Sequence, residues 1–123
     1  MQYNKIIIGI DQSYKRTGIT IIADDEIKKI TSIDFQKGFA NNSEKREYLR
    51  HKIDSLFGKL RNKSNNIIVV IERIRLRSEG FLNINYIKSI GALNSIIIDC
   101  ANKYDYPIYS ADTRAWKSKI VGT

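Results

Sequence analysis

Two apolar runs in this 123-residue chain each end on a carboxylate: Ile6-Ile7-Ile8-Gly9-Ile10 is followed by Asp11, and Ile67-Ile68-Val69-Val70-Ile71 by Glu72. A continuous β-branched run between polar residues is the pattern of a strand buried on both faces, and such strands pair in parallel inside α/β sheets. Acids at the C-terminal ends of two paired parallel strands lie side by side. Adjacent carboxylates repel each other unless they share a proton, meet cationic side chains or bind a metal ion. In a basic chain the metal is the informative alternative.

A second group could grip phosphate. Arg73-Ile74-Arg75-Leu76-Arg77 alternates basic with apolar directly after Glu72, so an extended backbone there puts three guanidinium groups on one face. Arginine makes bidentate contacts with phosphate; the alternative is an extended edge with solvated arginines. Trp116 and the basic Lys117 and Lys119 come near the end of the sequence. Other candidates carry less. His51 has no second His or Cys at ligand spacing and reads as an exposed residue. Cys100 is the sole cysteine, which excludes an intrachain disulfide or a thiolate zinc site; it sits in an apolar helical pattern as buried filler. Asp24 and Asp25 read as solvated hairpin residues, and Asp112 as a turn or helix-cap residue.

The formal charge of +8 is the footprint of a chain that meets polyanions, although a merely solvated basic surface is the alternative. No apolar run approaches the roughly 20 residues that span a bilayer, and the start lacks a signal peptide's pattern, so the expectation is a soluble protein in the cytoplasm.

The elements that must position these residues follow from periodicity. After the first strand, Gln12 to Arg16 forms a polar turn, Thr17 to Ala23 a second strand, and Asp24-Asp25-Glu26 a turn into a third, edge strand over Ile27 to Phe35. Asn41 with Glu44 resembles a capping box. It opens a helix whose buried face is Leu49, Ile53, Leu56, Phe57 and Leu60 and whose other side is basic. Ile67 to Glu72 is the fourth strand. A second helix runs from about Leu82 to Tyr104 with two apolar stripes, Ile84, Ile87, Gly91 and Ile98 on one and Ile90, Leu93, Ile97, Ala101 and Tyr104 on the other. One stripe should cover the sheet and the other meet a two-fold mate. Ile90, Leu93 and Ile97 are the expected interface residues, and Gly91 would permit close helix approach. Tyr106-Pro107-Ile108-Tyr109 is a short fifth strand. The whole of 1–123 reads as one domain, and its close at Val121-Gly122-Thr123, with no helix or packing face, reads as an interrupted chain.

This order, with Gly9-Ile10-Asp11-Gln12-Ser13, Thr17-Gly18, Val70-Ile71-Glu72-Arg73 and the closing Ala115-Trp116-Lys117-Ser118-Lys119-Ile120-Val121-Gly122, resembles the RuvC-type Holliday junction resolvases, particularly small phage versions. The resemblance implies an α/β ribonuclease H-like fold with a five-stranded mixed sheet, order 3-2-1-4-5, and flanking helices. It also implies a homodimeric, metal-dependent endonuclease that resolves four-way DNA junctions by paired phosphodiester hydrolysis. Asp11 and Glu72 then correspond to the first two catalytic carboxylates and would ligate two Mg²⁺ or Mn²⁺ ions, Asp11 bridging and Glu72 flanking. Arg73, Arg75, Arg77 and Phe81 correspond to DNA-contacting positions, and Lys117 and Lys119 to a basic segment. The family's further acids follow the closing Val-Gly segment, so this chain alone is expected to cleave weakly or not at all. Three other readings stay open: a non-catalytic branched-DNA binding module, another ribonuclease H-like nuclease, and an actin-like ATPase domain, for which the phosphate-loop glycines are missing.

Overall fold

The computed structural model describes residues 2–13, 16–35, 42–72 and 84–111. Strand β1 is Ile6–Gln12, β2 Arg16–Ala23 and β3 Glu26–Asp34, followed by helix α1 at Asn42–Leu60, β4 at Ile67–Glu72, helix α2 at Ile84–Lys103 and β5 at Ile108–Ala111. They form one five-stranded mixed sheet in the order β3-β2-β1-β4-β5, as the resemblance implied. β1 pairs antiparallel with β2 and parallel with β4, which in turn pairs parallel with β5.

The hairpin of β2 and β3 closes through Asp24 and Asp25, both at positive φ (49° and 68°). Asp and Asn tolerate the left-handed region better than most residues, and the pair fits the two-residue turn that suits strand twist. Asp24 is more than a solvated turn residue: its Oδ1 accepts the backbone N–H groups of Asn4 and Lys5, both at 3.0 Å, and so tethers the chain entering β1.

Alternation along the strands sorts side chains onto two faces. Ile6, Ile8 and Ile10 of β1, Ile19 and Ile21 of β2 and Ile67, Val69 and Ile71 of β4 pack with Leu49, Ile53 and Phe57 of α1 and Leu93, Ile96 and Ile97 of α2. Both helices therefore cover one face. The other holds a smaller cluster of Ile7, Ile22 and Val70 with half-buried Ile68, and among the described residues no helix contributes to it. Burial of the central strands on both faces is what their unbroken apolar runs require.

Several expectations on α2 need correction. Ile90, Leu93 and Ile97 are at most 2% exposed within the single chain, so they offer no surface to a mate. The stripe assignment inverts because that face lies toward the sheet and α1, while Ile98, about 100° round the helix from Ile97, is 40% exposed. Within the single chain Gly91 is not a point of close approach, since a Cβ there would meet nothing within 4 Å. Gly58 of α1 is: a Cβ would come 3.1 Å from the Tyr104 hydroxyl. Tyr106, expected to open β5, is instead a core residue whose hydroxyl donates to the Phe57 carbonyl at 2.8 Å. Pro107 precedes β5, and its carbonyl accepts the Val69 N–H at 2.9 Å. The Asn41 cap lies outside the described residues.

Candidate active site

Parallel pairing of β1 with β4 runs in register from Ile6 opposite Ile67 to Ile10 opposite Ile71. The next residues are Asp11 and Glu72, so the acids occupy equivalent positions on neighbouring strands about 4.8 Å apart. They also share a face. Asp11 alternates with Ile8 and Ile10 and so lies on the Ile7 side, and Glu72 alternates with Val69 and Ile71 and so lies on the Val70 side. The carboxylates thus stand on the face that α1 and α2 leave uncovered. Asp11 is exposed and Glu72 partly buried.

Their outer neighbours are small. Asp11 pairs with Gly18 across to β2, and Glu72 with Ala111 across to β5. A Cβ on Gly18 would rest 3.6 Å from the Asp11 carbonyl oxygen and 3.7 Å from its Cβ, in ordinary van der Waals contact, so Gly18 lies directly beside the acid. The strand end is fixed by a contact that sequence patterning did not single out. Thr17, fully buried, donates its hydroxyl to Gln12 Oε1 at 2.8 Å, while the Gln12 amide donates to the Ser13 carbonyl at 3.0 Å. Ser13 closes the turn: its hydroxyl donates to the Arg16 carbonyl at 2.9 Å and accepts the Arg16 N–H at 3.2 Å. A Thr five residues beyond Gln, at the two ends of a tight hairpin, was the available signal.

Two carboxylates suit a hard divalent cation that keeps several waters or takes further oxygens from substrate phosphates. Among the described residues no group of three His, Cys, Asp or Glu is placed to hold a metal. The expected phosphate-contacting residues Arg73, Arg75, Arg77, Phe81, Lys117 and Lys119, together with Asp112, lie outside the described residues.

A second titratable cluster occupies an open cleft of about 310 Å³ between α1 and α2, lined by Glu47, Arg50, His51, Asp54, Asp99, Cys100 and Lys103. Its charges are largely satisfied by one another. Lys103 Nζ donates to Asp54 Oδ1 at 2.6 Å, the Tyr104 hydroxyl reaches the same oxygen at 3.2 Å, and Arg50 lies 4.0 Å from Asp99. The Lys103 hydrogen bond is the main cause that holds the Asp54 carboxyl below its ordinary value. Cys100 is buried, and that burial pushes its thiol pKa up, away from reactivity. His51 is exposed, as its isolation in sequence suggests.

The sequence matches no protein-family model and no curated protein. Solved structures do resemble the fold. RuvC of Thermus thermophilus, determined in complex with a Holliday junction substrate, superposes with a TM-score of 0.73 at 11% identity, covering 97% of this chain and 80% of that one. A second Thermus thermophilus RuvC structure gives 0.66 at 12% identity, over 87% of this chain and 63% of that chain. The yeast mitochondrial Holliday junction resolvase Ydc2 gives 0.51 at 18% identity, over 98% of this chain but 57% of its own length. Strand order and these likenesses agree: the chain has a ribonuclease H-like fold of the kind seen in RuvC.

Proposed function

We propose that the chain is the nuclease core of a metal-dependent endonuclease that hydrolyses phosphodiesters in four-way DNA junctions. The observation that carries this reading is the placement of Asp11 and Glu72 at equivalent positions of two adjacent parallel strands, on the same uncovered face. The net charge of +8 and the likeness to a fold seen bound to a Holliday junction support a polyanionic, branched substrate.

Asp11 and Glu72 would hold Mg²⁺ or Mn²⁺. A pair of such ions, when bound, lowers the pKa of an attacking water and stabilises the departing oxygen. The chain's own contribution is geometric. The pairing of β1 with β4 fixes the spacing of the acids, the Gln12 and Thr17 contact fixes the strand end, and Gly18 keeps the flank of Asp11 low enough for a backbone phosphate to approach. Arg73, Arg75, Arg77 and Phe81, which follow Glu72 directly in sequence, would contact the junction strands, and Lys117 and Lys119 would add phosphate contacts. Symmetric cutting requires two sites related by a two-fold axis. The flank of α2 bearing Gly91, Asn94 and Ile98 is the surface for a second copy. Gly91 has open space above it, Ile98 is exposed, and Asn94 Oδ1 is buried without a hydrogen-bond partner among the described residues.

The test is cleavage of a labelled four-way junction with Mn²⁺. Paired nicks are expected, reduced by about 100-fold or more in Asp11→Asn and in Glu72→Gln, given that even supporting residues around a metal cost 10- to 100-fold. Junction binding should survive both substitutions, since neither removes a cation. The pair of described acids, with no third beside them, also fits a non-catalytic branched-DNA module. That reading gains if junctions are bound selectively yet remain uncut at every Mn²⁺ concentration and Asp11→Asn changes nothing.

A further inference from the structure

The lysines of α1 are distributed in a way that helix stability does not explain. Lys45, Lys52 and Lys59 recur every seven residues and so lie nearly on one line along the helix. None has an acid three or four residues away: Lys45 has Asn41, Asn42, Tyr48 and Leu49; Lys52 has Tyr48, Leu49, Ser55 and Leu56; Lys59 has Ser55, Leu56, Asn62 and Lys63. A solvated face stabilised by its own charges would pair Glu with Lys at those spacings. Two acids of α1 are on the opposite side, roughly half a turn away, where Asp54 engages Lys103 and Glu47 lines the cleft toward α2. Lys52 and Lys59 are exposed, and among the described residues neither has a carboxylate within ion-pair distance.

The line also has a direction. β3 runs parallel to β1, so Phe35, just past β3, is at the same end of the sheet as Asp11. Lys45 stands over the Phe35 ring at 4.7 Å. The other end of α1 leads through Lys63, whose carbonyl accepts the Tyr3 N–H, to the end where β1 and β4 begin. The lysine line therefore starts at the carboxylate end of the domain and runs back along it. Its three charges span about 21 Å at 1.5 Å per residue, equivalent to about six base pairs of axial rise. Tyr48, beneath Lys52 at 5.5 Å, sits within it.

We propose that this flank of α1 is a rail for the phosphate backbone of a duplex arm leaving the active site, with Lys52 and Lys59 making the contacts. The proposal rests on the nucleic-acid reading above and adds a surface to it, on the far side of the sheet from the acids. The rail is sequence-independent: lysine ammonium groups meet phosphates as point charges and read no bases.

The test compares wild type with Lys52→Gln/Lys59→Gln, and with Arg50→Gln/Lys103→Gln as a control that removes the same charge from the opposite flank. Affinity for a random-sequence DNA duplex and for a four-way junction is measured against salt, with melting temperature as a check on folding. The expected result is a slope of log affinity against log salt shallower by about 1.8 in the lysine variant, from two lost phosphate contacts at about 0.9 each, and little change in the control. Equal effects in the two variants, no effect in either, or binding to anionic vesicles in place of duplex would overturn the rail. If the rail alone fails, wild type still binds junctions with a steep salt dependence and still responds to Asp11→Asn. If wild type binds no DNA, the rail and the nuclease reading fall together.

Discussion

Thr17 shows how a buried side chain can hold the end of a strand beside a candidate site. Its hydroxyl is fully buried and bonded to Gln12, the residue after Asp11. Thr17→Val keeps the shape and removes the donor, and should lower stability by about 1 kcal/mol, the usual net value of one such bond, seen as a shift in the urea midpoint. If β1 is held by its ladder alone, cleavage will be unchanged; if the contact holds the Asp11 backbone, cleavage falls more than stability does. Asp11 and Glu72 were legible in the sequence because each ends an unbroken apolar run, which fixes both strand type and strand end. Thr17 was not, because a threonine in a strand is unremarkable until its partner is placed.

At the scale of elements, the strands and both helices were legible from periodicity and the sheet order from the family resemblance, while the orientation of α2 was legible from neither. Two apolar stripes on one helix do not say which faces inward. That is decided by Phe57, Tyr104 and Tyr106, whose rings cluster where the helices meet, with centroids 5.5 to 6.4 Å apart. Ile90, Leu93 and Ile97 are consequently core. Across the same junction, Asp54 and Lys103 join α1 to α2 in a pH-dependent way. Asp54 is held below its ordinary value of 3.8, chiefly by the Lys103 hydrogen bond, so its contribution is complete above that value and is lost as pH falls through the lower folded value. Lys103 is raised above 10.5, chiefly by the Asp54 hydrogen bond, so its contribution is present below that value and fades as pH rises through the folded one. Melting temperatures of wild type and Lys103→Gln should therefore differ slightly at neutral pH and converge on acidification below the folded value of Asp54. The difference should be small, because both groups are solvent-exposed.

For the molecule as a whole, one side of the sheet packs against both helices and the other carries the acids, and α2 leaves Ile98 exposed. Ile98→Arg should convert a dimer into a monomer in sedimentation without lowering the melting temperature of dilute protein, because the side chain already stands in solvent. A monomeric wild type would remove the two-fold arrangement from the proposal. The edge of the sheet carries a different consequence. β3 is an outermost strand, with Ile27 and Ile30 48% and 72% exposed. A long apolar edge with unpaired backbone groups is a template on which further chains add as strands, the route to fibrils. Lys28 and Lys29 lie between those isoleucines, and charges in such a position act as gatekeepers against aggregation. The same strand that completes the sheet is thus the place where misassembly must be resisted, and Lys29, beside a Lys28 held to Glu26 at 2.8 Å, supplies the charge that identical edges would have to bring together.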